Sequence, residues 1–236
     1  MRAFRSRERF VLASEEDGDF NVFATSQGMA RALGEQRWQS LVNAAQAGRE
    51  AGGYVPVTLD AHVTIDARST RREVPSHNFI ARLPGTSPDA GAILLLAHWD
   101  HFGTCGPEDA ADRLCNGAVD NASGLALMIE LGKRLANGPP LARDIHDLGT
   151  TAEEWGLLGA RAFAEEPPIP LESIVAAFNF DTVAIGPRGS AVGFIGEART
   201  ALDEVIRQAV ADSRRELAPR ERAEPFLQRQ DGLGFA

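Results

Sequence analysis

At residues 96–103 the chain reads Leu-Ala-His-Trp-Asp-His-Phe-Gly, which sets His98, Asp100 and His101 directly behind the apolar run 92–96. Two imidazoles and a carboxylate at the end of a core strand are costly unless they bind something. Further acids close two more apolar runs: Glu153 and Glu154 end residues 145–151, and Asp181 ends residues 174–180. Asp120 stands just ahead of a helix that starts near Ser123, where a helix N-terminus favours an anion. Taken singly, each has an ordinary explanation, as a helix-entry residue, a turn residue or surface charge. Taken together they do not, because ligands collect outside the carboxyl ends of strands in an open α/β sheet. Four acids and an imidazole on one such edge repel one another unless cations neutralise them. Carboxylate with imidazole suits zinc or a similar divalent ion, and an excess of carboxylate suits two ions sharing a bridging acid.

The elements that must position these groups are legible in the periodicity. Residues 92–97, 145–151 and 174–180 read as buried strands, and residues 123–136 as a helix with Leu127, Leu131 and Leu135 on one face, stopped by Gly138-Pro139-Pro140. Residues 156–164 read as a short helix, 191–195 as a further strand and 198–214 as a closing helix. Strands alternating with helices predict an α/β fold, a mostly parallel mixed sheet flanked by helices. Ahead of it lie two helical stretches, one opening near Thr25-Ser26 and one over residues 35–50 that Gly52-Gly53 ends. Strict alternation over residues 57–67 predicts a half-buried strand, with residues 76–83 as its hairpin partner. The expected division is an N-terminal helical segment, 1–56, and a catalytic domain, 57–236.

Four segments then carry a resemblance: His-Trp-Asp-His at 98–101, Asn-Gly-Ala-Val-Asp-Asn-Ala-Ser-Gly at 116–124, Thr-Ala-Glu-Glu-Trp-Gly-Leu-Leu-Gly at 151–159, and Asn-Phe-Asp at 179–181. In this order and spacing they resemble the bimetallic zinc aminopeptidases, a family that includes aminopeptidase Y and, more distantly, the glutamate carboxypeptidases. The resemblance covers residues 78–236 and implies a zinc-exopeptidase fold acting on peptide substrates. It implies that His98 and Asp181 bind one zinc, that Asp120 bridges to a second, and that Glu154 binds the second. Asp100 would hold the imidazole of His98 in one tautomer, and Glu153 would be the general base. That division suits the chemistry: zinc lowers the pKa of bound water to about 7, and a carboxylate not spent on coordination can carry its proton to the leaving amine. His101 has no ligand role in the resemblance.

The sequence departs from the family at two places. The family's last ligand is a histidine, and Gly232 stands in its position within Arg229-Gln230-Asp231-Gly232, shortly before the final residue. In the strand 145–151, His146 and Asp147 occupy positions where the family has apolar side chains, so either the strand has an exposed face or the fold is compromised. With the N-terminal segment resembling the tail of a preceding or inserted domain, the expectation is a chain truncated at its C-terminus. One zinc in place of two, or a non-catalytic relative serving as an interaction module, are the competing readings.

Other classes are excluded more simply. A net charge of -9 disfavours nucleic acid, which needs a surplus of Lys and Arg. No apolar stretch approaches the roughly 20 residues of a membrane span, and the charged N-terminus lacks a signal core, so the chain reads as cytoplasmic, although family relatives are often secreted or periplasmic. Cys105 and Cys115 lie ten residues apart in a polar loop and leave three options open: a disulfide, free thiols, or a Cys2His2 zinc site with His98 and His101. There is no H-E-x-x-H helix, G-x-S-x-G elbow or P-loop.

Overall fold

A computed structural model describes residues 4–6, 10–15, 22–53, 56–59, 62, 70–183 and 185–232. They divide into two units, Met1–Val74 and Pro75–Ala236. In that unit β1 (Phe4–Ser6) pairs antiparallel with β2 (Val22–Ala24), followed by α1 (Ser26–Leu33) and α2 (Glu35–Glu50). Thr25 caps α1, its Oγ1 accepting the Gly28 N–H at 3.0 Å, as the Thr-Ser start predicts. Most of the alternating run 57–67 lies outside the described residues.

The second unit contains β3 (Phe79–Leu83), β4 (Ala92–His98), β5 (Gly103–Thr104), β6 (Leu114–Cys115), α3 (Ala122–Ala136), β7 (Asp144–Thr150), α4 (Leu158–Glu165), β8 (Ile174–Asn179), α5 (Asp203–Asp212) and α6 (Arg220–Ala223). Four strands form one sheet in the order β3-β7-β4-β8, with β7, β4 and β8 parallel and β3 antiparallel to β7. The described partner of β3 is β7.

Alternate residues of β4 enter opposite faces of this sheet. Leu94 and Leu96 pack with Leu148 and with Phe163 of α4, while Leu95 and Ala97 pack with Ile145 and with Met128 of α3. Both faces are covered, which is why residues 92–97 read as an unbroken apolar run. Leu94 and Leu96 have no exposed surface, and truncating either to alanine would cost about 2–5 kcal/mol.

β7 keeps both neighbours and yet carries His146 and Asp147, which corrects the expectation of an exposed or compromised strand. Parallel register sets His146 beside Leu94 and Asp147 beside Leu95, on opposite faces. His146 is buried, and burial, opposed by Asp144, lowers its pKa so that the imidazole is held neutral. Burial likewise raises the Asp147 carboxyl. The polar groups are accommodated by disfavouring their charged forms.

Two other expectations fail. Residues 191–195 form no strand; Val192 makes a single bridge to Leu217, in a stretch interrupted by Gly189, Gly193 and Gly196. The closing helix starts at Asp203 rather than Ala198, because Ala198 sits at a left-handed φ of 64° and donates its N–H to Asp203 Oδ2 at 2.7 Å, closing a turn. Cys105 and Cys115 are joined in a disulfide across the β5–β6 ribbon, which leaves no thiolate for a Cys2His2 site. Among the described residues no helix is long and apolar enough to cross a membrane.

Candidate metal centre

The carboxyl ends of β4, β7 and β8 point the same way, so the residues that follow them meet on one edge. His98 closes β4 opposite Thr150, and Trp99 extends the ladder by donating its N–H to the Thr150 carbonyl at 2.9 Å. The chain then turns at Asp100, whose Oδ1 accepts the Glu153 N–H at 3.0 Å and so ties the exit of β4 to the exit of β7. The loop after β7 is held from below by Asn78: Oδ1 accepts the Thr151 N–H at 3.1 Å and Nδ2 donates to the Gly159 carbonyl at 2.8 Å.

Asn121 performs the corresponding task for Asp120. Its Oδ1 caps α3 by accepting the Gly124 N–H at 3.1 Å, and its Nδ2 donates to the Phe180 carbonyl at 2.9 Å. The neighbours of these two residues, Asp120 and Asp181, are thereby brought to the same imidazole. Asp120 Oδ1 lies 3.1 Å and Asp181 Oδ1 3.7 Å from His98 Nε2.

Ligand atoms of His98, Asp120 and Asp181 fall within 4.8 Å of one another, as do those of His101, Asp120 and Glu154. The first set is the one assigned by resemblance to the first zinc; the second unites Asp120 and Glu154 with a histidine that had no assigned role. The donor set fits a divalent ion on geometry. Edges of a tetrahedron with zinc bonds of about 2.0 Å are about 3.3 Å long, and the two His98 distances, 3.1 and 3.7 Å, bracket that length. His98 Nε2 is buried and has no hydrogen-bond partner, which a cation would satisfy.

The charge balance points the same way. Burial lowers the His98 pKa, but the nearby carboxylates of Asp100 and Asp181, aided by the charge of Glu153, outweigh it and push the imidazole up to about 11. Burial pushes Glu153 up to about 8, opposed by His98 and reinforced by Asp231 and Asp181. Glu154 is raised by burial and by Asp120. Burial raises Asp100 and Asp181, but His98, by contact and by charge, together with hydrogen-bond donors at Glu153 and Glu154 for Asp100 and at Thr182 for Asp181, outweighs it and holds both below the usual carboxylate range. On its open side the centre borders a cleft of about 320 Å³ lined by Asp120, Glu153, Glu154, Asp181, Phe226 and Arg229.

The supporting roles differ in detail from the sequence reading. The acceptor nearest His98 Nδ1 is the backbone carbonyl of Asp100 at 3.1 Å; the carboxylate stands at 3.7 Å. Asp231, beside Gly232, is fully buried and accepts a hydrogen bond from the Thr150 hydroxyl; burial pushes it up to about 6. The roles of Asn78 and Asn121 were missed; Asp231 stood out only as a possible substitute ligand beside Gly232, not as the partner of Thr150. Asn121 could have been found as the cap of Asn-Ala-Ser-Gly, whereas Asn78 and Asp231 act across distant parts of the chain and leave no local signal.

The sequence model of peptidase family M28 matches residues 78–235. The alkaline phosphatase isozyme conversion protein of Escherichia coli K12 is 30% identical over 128 residues, covering 52% of this chain and 36% of that protein. A probable lipoprotein aminopeptidase of Mycobacterium tuberculosis is 30% identical over 122 residues, 51% of this chain and 22% of that protein. Among solved structures, a zinc aminopeptidase from Bacillus subtilis is similar with a TM-score of 0.49 at 21% identity, covering 67% of this chain and 36% of the other. The chain thus spans just over a third or less of the length of these curated relatives.

Proposed function

Because the chain belongs to peptidase family M28, we propose that it is a zinc-dependent exopeptidase that removes N-terminal residues from peptides, with Glu153 as the general base. The observation that carries the reading is the convergence of His98, Asp120 and Asp181 with the buried, unpartnered Nε2 of His98 at their centre. His98, Asp120 and Asp181 would hold the first zinc, and Asp120 and Glu154 would take part in holding a second. Zinc supplies Lewis acidity there, polarising a carbonyl and acidifying water.

The remaining chemistry falls to side chains of this chain. Glu153 lines the cleft beside Asp120, Glu154 and Asp181, and burial raises its carboxyl above the ordinary range, which suits a group that takes a proton and returns it. In the proposed reaction its carboxylate removes a proton from the attacking water and delivers it to the leaving amine nitrogen. Asp100 does not meet substrate in this scheme; it positions the imidazole of His98 and the N–H of Glu153. The aminopeptidase specificity draws on the M. tuberculosis relative's description, and is tested by hydrolysis of a panel of aminoacyl chromogenic substrates with matched N-blocked controls. Cleavage of the blocked substrates alone would exclude an aminopeptidase.

Gly232, at the position of the family's last histidine, favours a second reading in which the chain binds one zinc or serves as a non-catalytic module. Purified protein that holds no zinc, and whose melting temperature is unchanged by chelator, would support the module.

A further inference from the structure

We propose that His101 is the imidazole ligand of the second metal site, completing Asp120 and Glu154 in the role that Gly232 has no side chain to fill. The inference rests on the metallopeptidase reading above and goes beyond it, because the resemblance gives His101 no such part.

His101 Nδ1 lies 2.5 Å from Glu154 Oε1, and both atoms are buried with no hydrogen-bond partner. The contact does not meet the geometry of a hydrogen bond, so a shared cation would satisfy both atoms. They stand closer than two ligands on one zinc, so the pair would part slightly on taking up an ion. Asp120 supplies the third donor and belongs to the His98 group as well, so the two groups share one carboxylate, which would suit a pair of ions.

The chain around His101 is built to keep it there. Gly117, at a φ of 64°, passes so near that a Cβ would stand 2.9 Å from His101 Cβ and Cγ and 2.8 Å from the Asp120 carbonyl oxygen. Only glycine lets the Asp120 turn lie against the imidazole in this way. Phe102 stacks edge-on against His101 and, on its other side, against Trp155, the residue after Glu154. The Asp120 segment thus packs on the ring directly, and the Glu154 segment reaches it through Phe102.

The test is zinc stoichiometry by equilibrium dialysis and elemental mass spectrometry on the wild-type chain, His101→Ala and His101→Gln. Two zinc ions on the wild type and one on each variant are expected. Two on both variants, or one on all three proteins, would overturn the inference while leaving a zinc peptidase intact. No zinc on the wild type would overturn the metallopeptidase reading as well. Should the variants fail to fold, zinc X-ray absorption of the wild type decides: one imidazole per zinc on average is expected, and half an imidazole per zinc, from His98 alone, refutes it.

Discussion

Asp100 joins the two halves of the centre: its Oδ1 accepts the Glu153 N–H at 3.0 Å while its backbone carbonyl stands 3.1 Å from His98 Nδ1. The residue that orients the first ligand also anchors the loop that carries the proposed base. The imidazole is held by main chain, which no side-chain substitution removes, whereas the Glu153 loop is held by the carboxylate.

Asp100→Ala is therefore expected to lower kcat by about 10–100-fold, with a smaller loss of zinc affinity, because the outer support of the base loop goes and the carbonyl at His98 stays. Asp100→Asn retains an oxygen acceptor for the Glu153 N–H and should keep most of the activity. A loss of zinc affinity in Asp100→Ala as large as its loss of kcat would contradict this division of labour.

Glu153→Gln keeps the shape of the side chain and removes its proton chemistry. Hydrolysis should fall by about 10²–10⁴-fold, while zinc content measured by elemental analysis stays at the wild-type level. A variant with full activity would mean that another group moves the proton.

Asn121→Ala removes the α3 cap and the bond to Phe180 together, leaving a buried carbonyl unpaired. A loss of about 1–3 kcal/mol in urea unfolding is expected, along with weaker zinc binding, since Asp120 and Asp181 lose their common tether. Unchanged zinc affinity at reduced stability would show that Asn121 acts on the fold alone.

Asp147 offers a pH test away from the centre. Burial raises its folded pKa above the ordinary carboxylate value, so the folded state binds the proton more tightly than the unfolded one. The cost of the buried charge is therefore fully present above the folded pKa and disappears as pH falls through it. Asp147→Asn should raise stability at pH 7, by a small amount because solvent screens a half-buried group. The gain should shrink toward pH 4 in parallel urea titrations; a gain that grew on acidification would reverse the assignment.

Zinc withdrawal should be visible as stability. If zinc binds only the folded chain, zinc at about 100 times its Kd adds about 2.7 kcal/mol, so chelator should lower the melting temperature and added zinc restore it. His98→Ala, which removes the first site's imidazole, should blunt that response.

Much of this was legible in the residues. The three strand ends, the acids behind them and α3 were readable because an apolar run followed by a charged residue is a local pattern, set by burial on both faces of a parallel sheet. Helix α2 was read to its bounds from Glu35 to Glu50. Residues 191–195 misled because an apolar run broken by glycine resembles a strand until it needs a partner, and Val192 finds only Leu217. His146 and Asp147 misled for the opposite reason: charge in a strand suggests exposure, and their neighbours hold them buried by disfavouring ionisation.

The sequence alone determined which residue types the centre contains and which strand ends deliver them, since these follow from neighbours along the chain. Tertiary structure alone decided which of them meet. The register of β4 against β7, the Asn121–Phe180 tether and the approach of Gly117 to His101 are contacts between segments far apart in sequence, closed only when the crossovers pack. His101 looked idle in its own motif, and it is the fold that carries it 2.5 Å from Glu154.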